Sequence, residues 1–274
     1  MKPDQQLAWL KSHKRNKGTF SVRAESDDVV EILIYEMIGF DFWTGGGITA
    51  QNFVKELNEI SASKIRIRIN SEGGDAFEGL AIFNALRRHE AHIETHIDGL
   101  AASAAATIAM AGDEIFIAEN AFLMIHRSWT LAAGNAEDMI EVAEILQKLD
   151  ENVARDFAAR SGKKVADVLQ LMSAETWFNS NEALSEGFVD EITASREIES
   201  SLDLSIFSNV PDDLKNIGST QDAGSLPTKR ELERTMQDAG LSRSYARRLL
   251  RDYGTLDAVE DTSDLIRVLR EMTD

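Results

Sequence analysis

A serine set among alanines, in the run Asp98-Gly99-Leu100-Ala101-Ala102-Ser103-Ala104-Ala105, stands where an apolar strand gives way to an apolar helix. A turn of that kind lifts a hydroxyl clear of the sheet and places it beside the first helix N–H groups, which have no partner inside the helix. Those amides, with the positive end of the helix dipole, can hold an oxyanion. The plainer role for Ser103 is an N-terminal cap on a buried helix. His126 closes the run Phe122-Leu123-Met124-Ile125-His126. Four apolar residues bury the backbone there and bring the ring to a strand terminus, where catalytic groups of open α/β sheets gather. A satisfied core histidine is the competing role. Taken together, the two residues suit nucleophilic catalysis: serine needs a base within hydrogen-bond reach to take its proton. The base in turn needs a carboxylate to fix its tautomer. Asp167, Glu175, Glu182 and Asp190 lie downstream, and spacing does not choose among them.

Other chemistries find less support. His92, Glu94, His96 and Asp98 alternate along one strand; period-two polarity reads as a solvent face, and no metal is expected there. The triple glycine at 45–47 has neither the lysine nor the spacing of a nucleotide loop and reads as a turn. The absence of cysteine excludes disulfides, thiolate metal sites and a thiol nucleophile. A net charge of −18 over 274 residues argues against nucleic acid or an anionic membrane as partner. No apolar run approaches the ~20 residues that span a bilayer, and the polar, basic residues 1–17 are not a secretory signal.

The elements that must position Ser103 and His126 follow from periodicity. Strands are expected at 29–38, 64–70, 92–97, 114–118 and 122–126, and helices at 48–60, from 76, from 104, from 136 to about 160, at 163–172 and at 182–184. That alternation means an α/β fold with a mostly parallel, buried sheet. The long helix capped by Asn135 carries Met139, Val142, Ile145, Leu146, Leu149, Val153 and Phe157, a stripe wide enough to pack against another subunit. Residues 1–26 read as a loose basic arm, 27–192 as the main domain and 193–227 as a linker. Residues 228–274 form a small helical module opened by a Thr228/Glu231 capping box. Its cluster of Arg243, Arg247, Arg248 and Arg251 suits docking on an acidic protein surface, or a helix-turn-helix.

Three stretches, Ile69-Asn70-Ser71-Glu72-Gly73-Gly74-Asp75, Gly99-Leu100-Ala101-Ala102-Ser103-Ala104-Ala105 and Phe122-Leu123-Met124-Ile125-His126, resemble the hallmark segments of the Clp protease family of serine peptidases. A fourth, running from Glu175 to Asp190, resembles the closing segment of that fold. The resemblance implies a spiral α/β core of the kind Clp proteases share with crotonases. It implies Ser103 as nucleophile, His126 as general base and the amides of Gly74 and Ala104 as oxyanion donors. Extended substrate would be added as a strand beside Gly73 and Gly74. The family's aspartate falls on Glu175, a departure of one methylene. It further implies homo-oligomeric rings and no cofactor. The Asn-Ser-Glu-Gly-Gly-Asp version, with Trp43 and the triple glycine upstream, resembles the phage and prophage branch of head maturation proteases. That branch implies capsid or scaffolding protein as substrate, inside proheads assembling in the host cytoplasm. Two rivals are a crotonase-like acyl-CoA enzyme, which needs no Ser103–His126 pair, and a scaffolding protein whose protease domain is inactive or cleaves only itself.

Overall fold

Isoleucine alternating with a basic residue in the run Lys64–Ser71 builds the middle of the sheet, because every second side chain points into the core. Ile65, Ile67 and Ile69 are fully buried, each contributing about 1.5–3 kcal/mol. The structure, a computed structural model, describes residues 20–24, 28–39, 47–130, 132, 134–195, 202, 204, 207–211 and 214. Most of the N-terminal arm, the loop with Trp43, most of the linker and the C-terminal helical module lie outside the described residues.

In chain order the elements are β1 (Ser21–Ala24), β2 (Val29–Ile34), α1 (Ala50–Asn58), β3 (Lys64–Ser71), α2 (Ala76–Arg88), β4 (His92–Ala102) and α3 (Ala104–Ala109). Then come β5 (Glu114–Ala118), β6 (Phe122–Ile125), α4 (Ala136–Ser161), α5 (Val165–Ser173), β7 (Thr176–Asn179), α6 (Ser180–Ser185) and β8 (Glu191–Thr193). The sheet runs β1-β2-β3-β4-β5-β8, with β6 and β7 branching from β4. All pairings are parallel except β1 with β2 and β6 with β7. This is the α/β spiral core with flanking helices that the sequence implies.

The branch point is β4. Its first half pairs with β5 through Glu94–Ile97, and its last three residues, from Leu100, pair with β6. The strand therefore continues past Gly99, beyond the expected end at 97, because a second partner takes over its hydrogen bonds. Ser103 stands immediately after this branch. Three short strands, β1, β7 and β8, are not among those expected from periodicity, the last pairing with β5. Residues 21–24, placed in the loose arm, pair with β2, and β7 pairs with β6.

The polar face of β4 is not a solvent face, and here the structure corrects the sequence reading. The register sets Lys64, Arg66 and Arg68 of β3 beside His92, Glu94 and His96. Glu94 is buried and accepts from Lys64 and Arg66, and buried Arg68 pairs with Asp98. Tyr35 donates to Asp98 at 2.5 Å. Opposite charges directly across two strands are stabilising, so the alternation encodes cross-strand pairing. His92, Glu94 and Glu114 converge closely enough to share an ion, but Glu94 is already neutralised by two cations.

His96 stacks on Phe116 with ring centroids 4.5 Å apart, and its Nε2 has no hydrogen-bond partner. Burial, reinforced by the charges of Arg68 and Arg66 and opposed by Glu94, lowers its pKa from 6.5 to about 4. Between those values the unfolded chain binds a proton that the folded chain does not, so stability falls as pH drops from 6.5 toward 4. In urea titrations the loss between pH 7 and pH 4 should be smaller in His96→Gln than in the unsubstituted protein by about 2–3 kcal/mol. Equal losses would show that His96 titrates normally.

The long helix α4 opens on the expected capping box, Asn135 with Asp138. Its second half is buried through Leu149, Val153, Ala154 and Phe157, whereas Met139, Ile140 and Ile145 of its first half are exposed. No helix among the described residues is long and apolar enough to cross a membrane.

Candidate active site

Ser103 takes φ 56° and ψ −123°, a conformation that a residue with a Cβ adopts only under strain. The strain has a structural cause. The Ser103 amide donates to Met124 O at 3.0 Å, continuing the β4–β6 pairing, while the Ser103 carbonyl accepts from Thr107 in the first turn of α3. One residue must therefore end a strand and begin a helix. Its hydroxyl does not cap α3, which disposes of the capping role. Instead it lies 2.7 Å from His126 Nε2.

His126 reaches this position because β6 delivers it alongside the end of β4 and because the next residues are pinned. Arg127 donates its amide to Met172 O at 3.1 Å and its guanidinium to Asp150 at 3.2 Å, and the Ser128 amide donates to Asp150 at 2.7 Å. Asp150, buried on α4, thus holds the segment that follows His126, a positioning contact that the sequence does not signal by spacing. Its only signal was an acid flanked by the apolar stripe at Leu149 and Val153. Burial lowers the pKa of His126, and the charges of Glu175 and Asp150 oppose that effect. A lowered pKa keeps the imidazole neutral at neutral pH, as a proton acceptor must be.

The third wall is the Asn-Ser-Glu-Gly-Gly-Asp stretch, whose polar residues hold its path. Asn70 Oδ1 accepts the Leu100 amide at 3.0 Å. Ser71 Oγ donates to Glu36 O and accepts the Gly73 amide. Asp75 caps α2 through the amides of Phe77 and Glu78. Between them Gly73 (φ 98°) and Gly74 (φ 140°) press against two backbones. A Cβ on Gly73 would lie 2.5 Å from Ala102 O, 2.7 Å from Ser103 Cβ and 2.9 Å from Ala104 N; on Gly74 it would lie 2.0 Å from Ile38 O. Only glycine fits at either place. The amides of Gly74 and Ala104 have no hydrogen-bond partner among the described residues, so both are available to a developing oxyanion.

Of the four acids considered from sequence, Glu175 alone acts on His126, through its charge. Glu182 belongs to the capping box of α6, Asp190 binds the Ile115 amide and Arg160, and Asp167 lies in the first turn of α5. Glu175 does not hydrogen-bond to His126. With Nε2 accepting from the serine, the proton of the neutral ring is on Nδ1, and Nδ1 has no acceptor among the described residues. The carboxylate points elsewhere: Oε2 accepts the Ser208 amide at 3.0 Å, and Oε1 accepts the Asn209 amide at 2.5 Å and Trp177 Nε1 at 3.4 Å. Phe207 meets the His126 ring edge-on at 5.5 Å.

A hydroxyl that gives its proton to a neutral imidazole beside unpaired amides has the chemistry of the serine hydrolases, acyl transfer through an acyl-enzyme. The fold narrows that class, for a model of the Clp protease family (Clp protease) matches residues 47–196. The chain belongs to the Clp protease family and is a serine peptidase. It is 31% identical over 142 residues to the ATP-dependent Clp protease proteolytic subunit of Streptococcus pneumoniae (strain P1031), covering 50% of this chain and 72% of that protein. To the corresponding subunit of Streptococcus pyogenes serotype M5 (strain Manfredo) it is 30% identical, covering 49% and 70%. Among solved structures, a point mutant of ClpP1 from Listeria monocytogenes superposes with a TM-score of 0.51 at 28% identity, over 61% of this chain and 92% of that one. The acyl-CoA rival loses its footing with this membership.

Proposed function

We propose that this peptidase cleaves capsid or scaffolding protein during phage head maturation, with Ser103 as nucleophile, His126 as general base and Glu175 as the acid of the triad. The observation that carries the catalytic part is the 2.7 Å contact between Ser103 Oγ and His126 Nε2 at a strained turn. Ser103 attacks the scissile carbonyl as its proton passes to Nε2. The amides of Gly74 and Ala104 receive the oxyanion, and the imidazolium then gives its proton to the leaving amine. Substrate lies extended beside Gly73 and Gly74, adding its backbone to an edge.

The phage assignment is supported by the Asn-Ser-Glu-Gly-Gly-Asp form of the glycine segment and by the 78 residues beyond position 196, where the family match ends in this 274-residue chain. Ring assembly is supported by Met139 and Ile145, exposed on the apolar stripe along the first half of α4, and its place would be the host cytoplasm. Residues 228–274 would recruit the enzyme to the shell. Co-production with the capsid and scaffolding proteins of the encoding phage should yield capsid protein shortened at a discrete site, and Ser103→Ala should leave it full length. Removal of residues 228–274 should abolish packaging while hydrolysis of a small peptide persists. Full-length capsid protein in mature shells would contradict the head-maturation role and leave a peptidase of another substrate class. Shells that assemble and mature normally with Ser103→Ala would favour a purely scaffolding role.

A further inference from the structure

The acid of the triad is occupied by a part of the chain that lies beyond the family match. Phe207 is buried in one cluster with Leu100, Ala102 and Met124, against which the half-buried Leu202, Leu204, Val210, Phe122 and Trp177 pack. Phe207 meets both the His126 and the Trp177 rings edge-on. Asn209 Nδ2 donates to Ala174 O at 3.1 Å, so the segment grips the backbone next to Glu175 as well as its carboxylate. We propose that residues 207–210 are an internal latch that turns the Glu175 carboxylate away from His126 and holds the peptidase in a resting state until the latch is displaced or cut. This rests on Ser103 and His126 being the catalytic pair.

Three observations converge. Both carboxylate oxygens are engaged by latch amides, and Trp177 adds a third donor. The imidazole Nδ1–H, the donor that a triad acid should accept, is left without a partner among the described residues. Glu175, at φ 48°, directly follows the C-cap of α5 and its amide donates to Met172 O at 3.1 Å, so its backbone is fixed by the helix end and only its side chain has to turn. When the latch leaves, the carboxylate loses two of its donors, and the Nδ1–H of a ring its charge already reaches is free to replace them. Moving the acid onto Nδ1 fixes the tautomer and stabilises the imidazolium, which in a serine triad is worth orders of magnitude in rate. The matched family core ends at residue 196, so a latch appended after it regulates the core without being part of it.

The test uses the full chain, the Phe207→Ala variant and the Asn209→Pro variant. The first empties the apolar socket, and the second removes both the Asn209 amide donor to Glu175 and the Nδ2 donor to Ala174 O at an exposed position while keeping the Phe207 side chain. Hydrolysis of a small fluorogenic peptide and the rate of Ser103 labelling by a fluorophosphonate are measured for each. The latch predicts that kcat/KM and labelling both rise by about tenfold or more, and that the gain disappears in Phe207→Ala/Glu175→Gln. Unchanged or lower rates in Asn209→Pro, with the fold intact by circular dichroism, would overturn the latch and make the segment a support for Glu175. A gain that survives Glu175→Gln would also overturn it, since access alone would then explain the effect. Absence of Ser103 labelling in every variant would instead refute the catalytic pair itself.

Discussion

Ser103→Ala is expected to lower kcat/KM for peptide hydrolysis by about 10⁴–10⁶-fold, because in the proposed mechanism the lost hydroxyl oxygen forms the acyl bond and the remaining groups retain only binding and oxyanion stabilisation. A companion variant separates chemistry from folding. Ser103 sits at φ 56°, where any Cβ is strained by roughly 1–3 kcal/mol. Ser103→Gly should thus be as inactive as Ser103→Ala yet more stable than it by about 1 kcal/mol, the gain being part of the relieved strain less the entropy of glycine. Stability measured by urea denaturation, set beside the rate, checks both halves. An active Ser103→Ala protein would remove Ser103 from the mechanism, and a less stable Ser103→Gly would mean that the turn carries no strain.

Gly74→Ala should be the most damaging substitution outside the catalytic pair. The added carbon would stand 2.0 Å from Ile38 O, inside the bridge that joins the two segments. That bridge is made by Ile38 N donating to Gly73 O at 2.7 Å and Asp75 N donating to Ile38 O at 2.9 Å. Relieving the clash breaks both bonds, at about 1 kcal/mol each, and leaves a side chain at φ 140°, for a total loss of about 3–5 kcal/mol. Whatever protein still folds has its glycine amide displaced from the proposed oxyanion position, which should cost about 10²–10³-fold in kcat. Urea denaturation measures the first effect, and single-turnover acylation by an ester substrate measures the second. A variant with ordinary stability and ordinary acylation would mean that the glycine pair is only a turn.

Much of the scaffold was legible because it obeys simple periods. The strand at 114–118 and the helix capped by Asn135 lie where alternation and capping put them. The meeting of Ser103 with His126 was also legible, since each ends an apolar run and the ends of neighbouring strands converge in such sheets. What escaped notice depends on partners remote in sequence. Gly99 reads as a turn, yet β4 runs through it, because β6 replaces β5 as its partner at Leu100. The charges of β3 and β4 read as solvated until the register sets them against one another. Phe207 lies in a serine- and aspartate-rich stretch whose composition reads as linker; only the spacing of Leu202 and Leu204 ahead of it hinted at an apolar face. Spacing leaves four acids open as partners of His126 and only the family resemblance points to Glu175, because nothing in the sequence tells where its carboxylate points.

The most direct measurement is peptide mapping by mass spectrometry after reaction of the folded full chain, and of Phe207→Ala, with a fluorophosphonate. Attack by Ser103 Oγ forms an O–P bond, fluoride leaves, and the hydroxyl proton goes to His126. A single adduct on Ser103, absent in His126→Ala and absent when the protein is denatured before the reagent is added, is the expected result. An unmodified Ser103 peptide in both folded proteins, or an adduct on a different serine, would contradict the account.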